Sequence, residues 1–189
     1  MCGIVGYLGN RDGLDVVLSG LRRLEYRGYD SAGIAMPVDG SIEWRKKAGK
    51  IANLAAAIEQ DPLPGSGVAI GHTRWATHGA PTDANSHPHV AGRVAIVHNG
   101  IIENHDALRA ELDGAEFSSE TDSEVAAHLL GRELDGGAGL VDAMRAVSTK
   151  LEGAFTLVAI DAQDPQRIVA ARRNSPLVVG KGDGEYFVA

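Results

Sequence analysis

Cys2 is the only cysteine in 189 residues, and it stands directly behind Met1 in the run Met1-Cys2-Gly3-Ile4-Val5-Gly6. Removal of Met1 would leave a thiol and a free α-amine on one residue. An α-amine titrates near ~7.7 to 8.0, close to the pH at which a general base works best. Nucleophile and base would then share a single residue, a known route to acyl transfer through a thioester. The competing account of a lone cysteine is a small buried hydrophobe. That account is weak here, because chain ends are seldom core unless a sheet ties them down.

A second concentration of chemistry is His72-Thr73-Arg74-Trp75-Ala76-Thr77-His78-Gly79, with a guanidinium, an indole, two hydroxyls and two imidazoles in eight residues. Arg74 is suited to fork onto a planar carboxylate; alternatively it makes a structural ion pair while Trp75 fills core. Asn99-Gly100 is either a routine turn dipeptide or an oxyanion hole built from the Asn99 amide and the Gly100 N–H. Four of the seven histidines lie between His72 and His89, which raises the question of a metal. His72, His78, His87 and His89 match no standard ligand spacing, so no metal is expected. Gly65-Ser66-Gly67 followed by Gly71 precedes its strand and has the wrong spacing for a nucleotide loop.

These residues need elements to hold them. Ile4 to Leu8 reads as a strand that anchors the terminus. Leu14, Val17, Leu18, Leu21 and Leu24 fall at helical spacing, with Gly28 as a stop. Ile34 to Val38 and Ile42 to Lys46 read as strands joined at Asp39-Gly40, and Ile51, Leu54 and Ile58 mark a helix ending before Pro62. Val68 to Arg74 and Val94 to His98 read as buried strands with a polar, histidine-bearing connection between them. Asn104 to Leu112 is predicted helical. Thr121-Asp122-Ser123-Glu124 has the form of a capping box, which would put Asp122 in the first turn of a helix running through Val125, Leu129 and Leu130. Val141, Met144, Val147 and Leu151 mark one more helix, followed by strands over 154–160, 167–171, 177–180 and 185–188. Strands in adjacent runs with helices clustered between them favour an α+β fold of antiparallel sheets covered by helices.

With 44% apolar and 23% charged residues, the composition is that of one compact globular domain. The net charge of -7 opposes a nucleic-acid partner. No apolar run approaches the ~20 residues of a membrane span, and no basic and apolar leader precedes Cys2. A cytoplasmic protein without a membrane partner is expected, and a single cysteine fits a reducing compartment.

The runs Met1 to Gly6, Leu24-Glu25-Tyr26-Arg27-Gly28-Tyr29-Asp30-Ser31-Ala32-Gly33, His72 to Gly79, His98-Asn99-Gly100 and Glu120-Thr121-Asp122-Ser123-Glu124 occur together in this order. The set resembles the class II glutamine amidotransferases over essentially all 189 residues. Tyr26 to Asp30 and Trp75-Ala76-Thr77-His78 are similar to the sugar-phosphate branch, and unlike the amidophosphoribosyltransferase and asparagine synthetase branches.

The resemblance implies the N-terminal nucleophile hydrolase fold, a four-layer αββα sandwich of two antiparallel sheets. It also implies that Cys2 attacks the side-chain amide of L-glutamine, giving a γ-glutamyl thioester and ammonia, then glutamate. By the same resemblance Arg74 takes the substrate carboxylate and Asp122 its ammonium, and Asn99 and Gly100 form the oxyanion hole. Trp75, Thr77 and His78 line the same loop, and Arg27 and His87 support the site. No cofactor is implied. In the family a sugar-phosphate isomerase part receives the ammonia through an internal channel and makes glucosamine 6-phosphate. That part is absent from these residues, and the family's glutaminase domain continues beyond Ala189. The expectation is therefore a glutaminase domain over 1–189, cut short at its C-terminal end, with a homodimer conceivable for the full-length enzyme. Two alternatives stay open: the glutaminase domain of another class II amidotransferase, and a non-catalytic glutamine- or metal-binding module in which Cys2 is structural.

Overall fold

A computed structural model describes residues 2–76 and 79–189. Ten strands form two sheets. The first contains β1 (Gly3–Leu8), β2 (Ser31–Val38), β3 (Ser41–Ala48), β4 (Val68–Arg74), β9 (Val179–Lys181) and β10 (Tyr186–Val188), in the order β3-β2-β4-β1-β10-β9. The second contains β5 (His89–Ala91), β6 (Val94–Ile102), β7 (Gly153–Asp161) and β8 (Asp164–Arg173), side by side in that order. Every pairing is antiparallel. The αββα sandwich expected above is thus the observed fold.

Side-chain alternation explains why the sheets stack. Along β6, Val94 and Ile96 face one apolar layer while Ala95 and Val97 face another, as the period of two in a strand requires. The middle layer, with Ile4, Ala35, Ile70, Val97, Val158 and Ile160, lies between the two sheets. Outside the first sheet lie α1 (Gly13–Leu24) and α2 (Ile51–Gln60), which bury Val17, Leu21, Leu54 and Ile58 against it. Outside the second lie α3 (His105–Ala110), α4 (Asp122–Asp135) and α5 (Leu140–Lys150). Strands apolar on both faces have to sit in the centre of such a stack.

Three local expectations need correction. The polar connection after β4 contains a short strand, β5, whose His89 and Ala91 are buried; pairing with β6 holds it, a tertiary effect that outweighs its turn-like composition. The helix expected over 104–112 is the shorter α3. The capping box does not form either, because Thr121 makes no side-chain cap bond to its helix. Its hydroxyl instead pairs with His89 Nε2 at 3.0 Å, and Glu124 accepts the backbone N–H groups of Ser118 at 2.9 Å and Ser119 at 2.7 Å, together with both serine hydroxyls. Glu124 thereby fastens the 118–121 segment to α4, the segment that delivers Asp122.

Burial raises the Glu124 carboxyl pKa, but the His128 imidazole and the hydrogen bonds from Ser119 and Ser118 outweigh it and hold the group well below the usual carboxylate range. A carboxylate depressed by the fold contributes stability above its unfolded value of ~4.3 and loses it as pH falls toward the folded value. Glu124→Gln, which keeps the shape but not the charge, is expected to cost about 1 to 3 kcal/mol at pH 7. Urea unfolding across pH is the check: the gap between parent and variant should narrow below pH ~4.3. A constant gap would show that the fold does not favour the charged form.

Candidate active site

The site is mounted on the ends of two adjacent strands. Gly3 of β1 pairs with Thr73 of β4, so Cys2 comes level with the C-terminal end of β4. There the Trp75 N–H donates to Cys2 Sγ at 3.2 Å, and the thiol lies 3.6 Å from the Trp75 carbonyl. The half-buried sulfur faces a small cavity lined by Cys2, Arg74, Trp75, His87, His98, Gly100, Thr121, Asp122 and Ser123. Residues from β4, β6 and the start of α4 therefore meet the terminal thiol in one place.

Asn99-Gly100 is not a turn. Both residues lie inside β6, Asn99 opposite Thr156 and Gly100 opposite Phe155 of β7. Gly100 has φ +128°, and a Cβ there would come within 2.0 Å of the Ala154 carbonyl oxygen and 2.8 Å of Phe155 Cα. Glycine is thus required by conformation and by close backbone approach together.

Arg74 and Asp122 stand on the wall of this cavity, each 5% exposed. The Arg74 guanidinium donates to the carbonyls of Gly79 at 3.2 Å and Ala80 at 3.3 Å. Asp122 opens α4 and accepts the Ile102 N–H at 2.8 Å; a carboxylate is favoured at a helix N-terminus. One cation and one anion on opposing elements form a polar pair suited to a zwitterion. Asp30 fixes the intervening loop, its N–H donating to the Arg74 carbonyl at 2.7 Å and its carboxylate accepting the Ala76 N–H. Trp75 is half exposed and packs its indole toward Gly28, where an added Cβ would lie 3.1 Å from the ring. Thr77 and His78 lie outside the described residues, as does Met1. Arg27 is exposed in a 3-10 turn over Glu25–Arg27, with its Nε donating to Tyr26 Oη at 3.3 Å, and is not part of the cavity lining.

Four histidines cluster at the site, and two of them, His87 and His98, belong to the cavity wall. His87 lies 4.2 Å from His72, 4.7 Å from His89 and 6.4 Å from His98, between ring centroids. His72 Nε2 is 2.8 Å from Asn99 Oδ1, and His98 Nδ1 is 2.8 Å from the Ser123 hydroxyl. Burial, more than any neighbouring charge, holds all four imidazoles below their ordinary pKa, His72 at about 3. They are neutral at physiological pH. Among the described residues no group of three or more His, Cys, Asp or Glu is arranged to hold a metal ion.

The sequence reading missed His98, Thr121 and Ser123 as lining residues and Asp30 as a loop anchor. Their positions beside Asn99, Asp122 and Tyr29 were the available signal, since strand alternation and a helix start each carry neighbours into a site. A larger cleft of about 540 Å³ lies elsewhere, beside Trp44, Lys46, Asp83 and Pro88. Its Lys47 is paired with Asp83 and its Arg45 with Asp61.

The fold, with a cysteine presented at the head of its first strand beside Arg74, Asp122 and Gly100, is that of the N-terminal nucleophile class. The model of the glutamine amidotransferase domain matches residues 72–189, more than half of the chain, and the chain belongs to that family. Glutamine-fructose-6-phosphate aminotransferase (isomerizing) of Streptomyces coelicolor is 62% identical over 193 residues, covering 100% of this chain and 31% of the relative. The protein of the same name from Mycobacterium tuberculosis is 54% identical over 198 residues, covering 100% and 32%. The chain spans about a third of the length of these curated relatives. Among solved structures, glutamine phosphoribosylpyrophosphate amidotransferase from B. subtilis aligns with TM-score 0.81 and 27% identity, covering 100% of this chain and 41% of that one. A glutamine aminotransferase class-II domain protein from Silicibacter pomeroyi shares the fold at TM-score 0.61 and 20% identity, over 100% of this chain and 87% of that one.

Proposed function

We propose that residues 1–189 form a glutaminase unit that hydrolyses L-glutamine to glutamate and ammonia, and that the ammonia serves to aminate fructose 6-phosphate in an isomerase part of a longer protein; the name glutamine-fructose-6-phosphate aminotransferase (isomerizing) of the curated relatives supports this. The observation that carries the reading is the meeting of Cys2, Arg74, Asp122 and Gly100 around one cavity. With Met1 removed, the Cys2 amine takes the thiol proton as sulfur attacks the amide carbon of glutamine. The resulting oxyanion is held by Asn99 Nδ2 and the Gly100 N–H, donors of the kind acyl transfer needs. Collapse of the tetrahedral species breaks the C–N bond, the amine returns its proton to the departing nitrogen, and ammonia leaves. Water, deprotonated by the same amine, then attacks the thioester and releases glutamate.

Arg74 and Asp122 read the α-carboxylate and the α-ammonium. Trp75 covers the acyl site and His87 lines the cavity beside it, and by the family resemblance Thr77 and His78 serve the same substrate. Identity of 54% to 62% with the fructose-6-phosphate aminotransferases, against 27% with the phosphoribosylpyrophosphate enzyme, supports fructose 6-phosphate over phosphoribosylpyrophosphate as acceptor. A net charge of -7 supports a role without nucleic acid, and one cysteine supports the reducing cytoplasm. Among the described residues no helix is long and apolar enough to cross a membrane. Self-association of the full-length protein belongs to the same reading.

Losing either buried charge at the head-group site should cost roughly 2 to 5 kcal/mol in substrate binding. The parent should prefer glutamine strongly over its desamino analogue, and Asp122→Ala should lose that preference. Steady-state efficiencies for both substrates provide the test. An unchanged ratio in Asp122→Ala would rule out Asp122 as the ammonium partner.

A further inference from the structure

We propose that His72 is a positioning residue for the hydrolysis, its imidazole holding the Asn99 side chain in the orientation that turns Nδ2 toward the oxyanion. The inference rests on the reading of Asn99 as an oxyanion donor. His72 lies on β4, between β1 and β2, opposite Ile4 on one side and Gly33 on the other. Strand pairing on both flanks fixes the backbone at His72. The side chain is 1% exposed and crosses the space between the sheets to reach β6, where Nε2 lies 2.8 Å from Asn99 Oδ1.

The chemistry of this contact selects one state. A carboxamide oxygen only accepts, so Nε2 carries the proton and donates. Burial keeps the ring neutral, so it has a single N–H, which this contact places on Nε2. With the ring in this tautomer, an Asn99 amide rotated by half a turn would turn its NH₂ toward the Nε2–H, two donors would oppose each other, and the amide oxygen would face the developing negative charge. The His72 N–H therefore decides which end of the amide meets the substrate. His87 stacks on the ring at 4.2 Å with a 38° tilt and holds its plane. A Cβ on Gly33 would meet the His87 carbonyl oxygen at 2.1 Å, so the absence of a side chain on β2 lets that loop close over the ring.

The position also couples the groups mechanically. His72 and Arg74 alternate along the same face of β4, and Cys2 sits two residues before Ile4, the strand partner of His72. Nucleophile, head-group cation and amide-orienting imidazole thus ride on one strand pair. Small displacements between such groups cost as much as ~10²-fold in rate.

The test compares His72→Gln, whose amide N–H can reach the position of Nε2, with His72→Asn, whose N–H stops near Nδ1. Both are made in the full-length protein, alone and on an Asn99→Ala background. Asn99→Ala itself should lower kcat by about 10² to 10³ with little change in KM. His72→Asn should lower kcat by roughly 10- to 100-fold at near-constant KM, while His72→Gln stays within a few-fold of the parent. The Gln and Asn variants should become indistinguishable once Asn99 is alanine. Equal kcat for His72→Gln and His72→Asn with Asn99 intact would overturn the positioning role and leave the oxyanion reading standing, as would a His72→Asn penalty that persists in full in the Asn99→Ala background. Parental kcat in Asn99→Ala would overturn the oxyanion reading and the His72 role with it.

Discussion

Cys2→Ala is expected to abolish glutamine hydrolysis, because no second thiol exists in the 189 residues to carry an acyl group. Arg74 and Asp122 should still bind substrate in this variant, but nothing in the cavity would form the thioester. Cys2→Ser should retain only a trace, since a hydroxyl is a far weaker nucleophile than a thiol at neutral pH. Ammonia release by purified full-length variants measures the effect. A Cys2→Ala rate of even a tenth of the parent would remove the thiol from the mechanism.

Retention of Met1 should silence the site to a similar degree. With Met1 attached, the Cys2 nitrogen is an amide that cannot accept a proton near neutral pH, and an additional side chain occupies the place of the base. The four buried imidazoles are poor substitutes, because burial holds each below its ordinary pKa and so makes it a weak base. A thiol without its base is only a few per cent thiolate at pH 7. Matched preparations with and without Met1, their termini verified by mass, should differ in both glutamine hydrolysis and labelling by a glutamine-like electrophile. Equal rates would assign the base to another group, and His72 and His78 would be the first to examine by substitution.

The parts of the fold legible in the sequence were those set by short-range periodicity. Val17 and Leu21 announce the inner face of α1, and the two-sided apolar runs of β4 and β6 announce strands enclosed between layers. The unusual residue types of the site were legible for a similar reason, since a terminal thiol and an arginine-tryptophan loop have few bland explanations at those positions. What depended on distant partners was not legible. Asn99-Gly100 carries the local signature of a turn, yet the φ of +128° at Gly100 serves a close passage against Ala154 and Phe155, some fifty residues later in the chain. The capping box at Thr121 failed for the same reason: His89 competes for the threonine hydroxyl and the 118–119 backbone competes for Glu124. The bond between His72 and Asn99 depends on the spacing between two sheets, a quantity no local pattern encodes. Side chains that are polar and buried, like His98 and Ser123, acquire their meaning only from the partner across the gap.

The central claim is that the side-chain acyl group of glutamine passes through Cys2 beside an oxyanion hole at Asn99 and Gly100. The most direct test mixes full-length protein lacking Met1 with glutamine, quenches in acid within the first turnovers, and maps the mass of the N-terminal peptide. The account predicts one added γ-glutamyl group on the Cys2 thiol. It should accumulate when thioester hydrolysis is slower than its formation, discharge to hydroxylamine, and be missing from Cys2→Ala. Steady glutamate release by a fully active enzyme whose Cys2 peptide never gains that mass, even with hydroxylamine partitioning assayed in parallel, would contradict it.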